Sequence, residues 1–149
     1  MNKEFVPYEE SLALKELGFD EKCLAFFFDE DFELNVKEST GDLVPKKINS
    51  GFKREPQRLQ DMMVSAPLWQ QAFRWFREKH GLESIVQKSK NYQGFKYKIF
   101  RYSEDEYVEN TLLFSGHEYE TYKEAELECV RRLLTCVLDV TNSISGDGS

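Results

Sequence analysis

Histidine and cysteine are scarce in this chain of 149 residues, with only His80, His117, Cys23, Cys129 and Cys136 present. No two of them have the short spacing of a structural zinc site, and three scattered cysteines do not make a secreted disulfide framework. Cys129 and Cys136 share one helix face, but seven residues of helix separate them by about 10.5 Å, too far to bond. Cys129 and Cys136 therefore read as core residues. Long apolar runs are missing as well. No window approaches the roughly 20 consecutive apolar residues that a membrane span requires. Met1-Asn2-Lys3-Glu4 also lacks the apolar core of a signal peptide. The expectation is a soluble cytoplasmic protein with no membrane partner. Gly-x-Gly-x-x-Gly, a Gly-Lys-Ser/Thr phosphate loop and a Gly-x-Ser-x-Gly elbow are all absent, so nucleotide-binding and serine-hydrolase readings lose their anchors. Neither catalytic residues nor a metal or cofactor site is expected.

What the chain does contain is core material and charge. Twelve Phe and seven Tyr concentrate apolar area in rings, enough for a domain of this length to fold without staples. Twenty basic against 27 acidic residues leave a formal charge of −7, which gives no global attraction to nucleic acid.

Element signals follow in order. Pro7 to Leu17 predicts a helix with Tyr8, Leu12, Ala13 and Leu17 on one face, closed by Gly18 with Phe19 folding back. Cys23 to Phe28 and Phe32 to Val36 predict a β-hairpin across Asp29-Glu30-Asp31. From Lys37 to about Val64 the pattern is irregular, with one candidate strand near Val44 to Ile48. A second helix starts after Ser65-Ala66-Pro67, with Leu68, Trp69, Ala72, Phe73 and Phe76 on one side, and stops at Gly81. Strands are expected over Ile85 to Lys88, Phe95 to Tyr102 and Thr111 to Phe114. The last helix opens on the capping box Thr121-Tyr122-Lys123-Glu124 and ends near Val140. These elements predict an α+β fold of three helices on an antiparallel sheet of about four to five strands. They form one domain over 1–142, with a disordered tail over 143–149. Phe73, Phe76, Cys129 and Leu133 are expected in its core.

Several charged groups invite a chemical reading and have a simpler one. Asp29, Glu30, Asp31 and Glu33 would suit a divalent cation, but Leu34 stands where a calcium loop needs Gly, so a solvated hairpin turn explains them better. Asp20-Glu21-Lys22 reads as an exposed turn, and His117 as an exposed loop residue. His80, at a helix C-terminus, is where the dipole favours a protonated imidazole. The stretch Gln87 to Tyr102 has real local contrast. Lys88, Lys90, Lys96, Lys98 and Arg101 occur there without an acid, interleaved with Tyr92, Phe95, Tyr97, Phe100 and Tyr102. Lysines on phosphates and rings on bases are how sheet surfaces hold single strands. The alternative is that the rings face the core and the lysines keep a sheet face wet.

Three stretches resemble a family of small uncharacterised proteins from phages and prophages of Bacteroides-type bacteria. They are residues 5–19 (FVPYEESLALKELGF), 66–82 (APLWQQAFRWFREKHGL) and 121–127 (TYKEAEL). The resemblance implies a mobile-element context and host cytoplasm, and it brings no activity or site residues.

Two functions remain open from the sequence. One is a non-enzymatic accessory protein with a protein partner. The other is a nucleic-acid-binding module acting through Lys88, Lys90, Tyr92, Lys96, Lys98 and Arg101. The order helix, three strands, helix from Leu68 to Val140 resembles double-stranded RNA-binding domains in topology, without the basic cluster those place at the last helix.

Overall fold

The computed structural model describes residues 2–28, 33–35, 49, 57, 62–90, 93–101, 105, 111–115 and 117–146. Within them the fold is α+β, with three α-helices and two antiparallel sheets of three strands each. The chain gathers into two compact units, Met1–Gln71 and Ala72–Ser149, each holding one sheet. Among the described residues no helix is long and apolar enough to cross a membrane.

The first unit contains helix α1 (Tyr8–Glu16) and strands β1 (Ala25–Phe28), β2 (Glu33–Asn35) and β3 (Met63–Ala66), in the order β2-β1-β3. Pro7 caps α1 with extended backbone, and Gly18 closes it at φ 96°, a left-handed conformation that glycine adopts without Cβ strain. The amides of Gly18 and Phe19 then donate to the carbonyls of Lys15 and Leu14, and Phe19 is buried. The buried side of α1 differs from the expected one. Ser11 and Leu14 are fully buried, whereas Tyr8, Leu12, Ala13 and Leu17 are only partly covered. A small serine lets the helix sit close to the chain before it, and its hydroxyl is satisfied by donating to the Val6 carbonyl at 3.0 Å.

The expected hairpin is present, with Phe27 opposite Leu34. Strand β3 falls where only the end of an irregular stretch and a helix lead-in are expected. Its four residues, Met-Val-Ser-Ala, are too short and too mixed to show a period. Pairing with β1 makes it a strand, Phe27 lying opposite Val64. Asn49 serves this unit as a clip. Its Nδ2 donates to the Phe19 carbonyl at 2.8 Å and its Oδ1 accepts from the Ser65 amide at 2.9 Å. The candidate strand at Val44 to Ile48 and the acids 29–31 lie outside the described residues.

Helix α2 (Trp69–His80) contains the boundary between the units. Its start belongs to the first, where the Trp69 indole donates to the Lys3 carbonyl and the Gln71 amide to the Lys22 carbonyl, both at 2.8 Å. Further along, Phe76 is buried as expected, but Phe73 is only half-buried and Trp75 is buried instead. A wheel drawn on the apolar residues puts Trp75 at the edge of their side, next to Leu68. Its large ring packs edge-on to Phe76 at 5.2 Å and against His80 at 4.8 Å.

The second unit continues through β4 (Leu82–Lys88), β5 (Phe95–Arg101), β6 (Thr111–Ser115) and α3 (Tyr122–Gly146), with the strands in sequence order. Gly81, at φ 64°, turns the chain from helix to strand. The Thr121 hydroxyl accepts from the Glu124 amide at 3.1 Å, the first half of the expected capping box. Helix α3 packs on β4 and β5, burying Ala125, Cys129, Val130, Leu133, Leu134 and Val137. It runs past the expected end near Val140 to Gly146, into the span read as a tail.

Candidate nucleic-acid interface

Alternation along β5 decides which side chains are available. Tyr97 and Ile99 are buried, and α3 packs on this strand. The Tyr97 ring stacks on Phe114 at 5.6 Å and on Tyr119 at 6.1 Å, and Phe95 meets Tyr122 edge-on at 5.8 Å. Arg132 of α3 sits 4.0 Å over the Phe114 ring. Desolvation raises the Tyr97 phenol above its ordinary pKa, partly offset by its hydrogen bond with Arg132. Two of the rings singled out in the sequence, Phe95 and Tyr97, are thus committed to packing inward.

Lys96, Lys98 and Phe100 occupy the alternate positions, on the face turned away from Tyr97 and Ile99. Register places Gln87 opposite Lys96, Ile85 opposite Lys98 and Glu83 opposite Phe100. On the other side Ser115 lies opposite Lys98 and Leu112 opposite Phe100, with Leu113 taking up the irregularity between them. This face therefore has two ends. Toward the β4–β5 turn it is cationic, and toward the far end of β5 it is mainly apolar, with Glu83 beside Phe100. There Ile85 and Leu112 are 44% and 52% exposed and the bulged Leu113 39%.

The cationic end is a groove of about 380 Å³ lined by Gln87, Lys88, Ser89, Lys90, Lys96, Lys98, Ser115 and Glu118. Four of the six candidate residues, Lys88, Lys90, Lys96 and Lys98, come together here. Arg101 ends β5 paired with Leu82 and Thr111, on the same alternation as Tyr97 and Ile99, and does not line the groove. Tyr92 and Tyr102 lie outside the described residues. Lys96 is 3.8 Å from Glu118, a partly exposed pair of small energetic worth.

Ser89, Ser115 and Glu118 join the groove without having stood out in the sequence. Ser115 is recognisable only from the register across β5 and β6. Glu118 is brought in by the bridge between Phe95 and Tyr119, whose amides donate to each other's carbonyls at 2.8 Å. Gly94 makes that approach feasible, since a Cβ there would stand 2.6 Å from the Tyr119 carbonyl oxygen.

The remaining candidate groups assemble nothing further. Among the described residues no cluster of His, Cys, Asp or Glu is arranged to hold a metal ion. Burial pushes the Cys23 and Cys129 thiols up to about 12 and raises Cys136 as well, which suppresses the reactive thiolate. Packing against Trp75 desolvates the His80 imidazole and lowers its pKa, the reverse of the dipole effect expected at a helix end. Comparison of the chain with family models, curated proteins and solved structures finds no match.

Proposed function

We propose that the protein is a non-enzymatic accessory module of a phage or prophage, acting in the host cytoplasm, which binds single-stranded nucleic acid on the β4–β5–β6 sheet. The observation that carries this reading is a groove lined by four lysines, two of which, Lys96 and Lys98, stand on a sheet face that continues to the exposed Ile85 and Leu112. Phosphates are neutralised in the groove while bases leave water against Ile85 and Leu112. The half-buried Phe100 ring, in the same alternation as Lys96 and Lys98, is the stacking element on this face. The likeness of residues 5–19, 66–82 and 121–127 to phage proteins supports the context.

The topology of the second unit parallels that of double-stranded RNA-binding domains, but the start of α3 argues against their mode. Lys123 is engaged by Glu126 at 3.2 Å and Glu124 lies beside it, so no cationic cluster faces a phosphate there. Anisotropy of a labelled single-stranded oligonucleotide at low salt tests the reading. Binding should weaken in the Lys96→Ala/Lys98→Ala variant, with a salt slope shallower by about 0.7 for each phosphate no longer neutralised. Unchanged anisotropy at high protein concentration would refute it.

A second reading is favoured by the exposure of Ile85, Leu112 and Leu113, which would suit a protein partner at the apolar end alone. It is distinguished by Leu112→Glu, which would abolish partner capture while Lys96→Ala leaves it intact.

A further inference from the structure

Ser89 stands at the turn end of β4, where its amide donates to the Gly94 carbonyl at 2.9 Å. This pairing continues the register of Gln87 with Lys96 and places Ser89 in the alternation of the lysine face. It lines the groove, it is only 3% exposed, and its Oγ has no hydrogen-bond partner among the described residues. Buried hydroxyls are nearly always paired, so an orphan in a groove lined by four lysines marks a place where an acceptor is missing. The local charge identifies the acceptor. Four lysines against the single carboxylate of Glu118 leave a surplus of three positive charges in the groove. A phosphodiester carries one negative charge, whereas a phosphate monoester approaches two at neutral pH and brings three oxygens able to accept from Oγ and Nζ donors.

Resting on the reading of this face as a strand-binding surface, we propose that the groove is a subsite for a terminal phosphate monoester of a nucleic-acid strand. The ammonium groups of Lys88, Lys90, Lys96 and Lys98 donate to its oxygens, and Ser89 Oγ, shielded from solvent in this structure, joins them as the lysine side chains move onto the phosphate. The rest of the strand then runs along the face toward Phe100, Ile85 and Leu112. Glu118 competes with the phosphate for Lys96, from which it is 3.8 Å away, and so sets a threshold that a singly charged diester meets less readily.

The test is anisotropy of one internally labelled single strand in three forms, with a 5′-phosphate, with a 3′-phosphate, and with hydroxyls at both ends. One phosphorylated form should bind about tenfold tighter than the hydroxyl form, the scale of a hydrogen bond to a charged group. Ser89→Ala should reduce that advantage several-fold without lowering the melting temperature, since it removes a buried unpaired hydroxyl. Glu118→Gln should widen it. A mononucleotide that displaces the strand as well as the phosphorylated strand itself would overturn the strand end as the source of the phosphate. Equal affinity for all three forms would overturn the subsite and leave strand binding standing. Failure of every form to bind would refute strand binding itself.

Discussion

Neighbouring residues of β5 meet opposite fates. Tyr97 and Ile99 are buried among Phe114, Tyr119 and the residues of α3, while Lys96 and Lys98, one position away, line an open groove. A strand costs the same backbone ordering on both of its faces, so what differs is what each face gains from it. The inner face gains apolar burial and therefore stability. The outer face gains little stability from its lysines, which leaves it free to be selected for binding.

The contrast is broken most severely by emptying the inner face. Ile99→Ala should cost about 2–5 kcal/mol in urea unfolding, because Ile99 is fully buried. A drop well under 1 kcal/mol would mean that the face is not packed as described. Gly94→Ala acts at the hinge between the faces. Its Cβ would strike the Tyr119 carbonyl oxygen, a backbone atom that cannot rotate away. A destabilisation of about 1–3 kcal/mol is expected, together with weakened amide-exchange protection at Phe95 and Tyr119.

On the outer face, Lys96→Ala and Lys98→Ala should each leave stability within about 0.5 kcal/mol of the parent while lowering oligonucleotide affinity. A large drop in melting temperature would show that the lysines hold the fold together. The smallest effect is at His80, whose lowered pKa means that the folded chain takes up a proton less readily than the unfolded one. Stability should therefore be unaffected above about pH 6.5, the ordinary histidine value, and decline as pH falls through it. His80→Gln should flatten that part of a melting-temperature profile, and an unchanged slope would place its origin in other groups.

Much of the architecture is legible because it rests on local chemistry. Gly18 and Gly81 end helices through backbone freedom, Thr121 caps α3 through its own hydroxyl, and the alternation of β5 appears residue by residue. Strand β3 and the burial of Trp75 are not legible in this way. A four-residue strand is defined by the partner it pairs with, and a tryptophan ring at the edge of a helix's apolar side is buried only when other rings are placed beside it.

The candidate site divides along the same line. Lys88, Lys90, Lys96 and Lys98 stand out in the sequence as an acid-free run, and pairing of β4 with β5 was enough to bring them together. The sequence by itself determined the α+β class, the glycine-closed ends of α1 and α2, the hairpins and this basic stretch, since each depends on residues a few positions apart. Only tertiary structure decided that the strands form two sheets, that Phe95 and Tyr97 turn inward while Arg101 stays outside the groove, and that Ser89 is buried without a partner among the described residues. Those outcomes depend on which surfaces meet across long stretches of chain, and burial, unlike helix capping, is a property of the surfaces that meet.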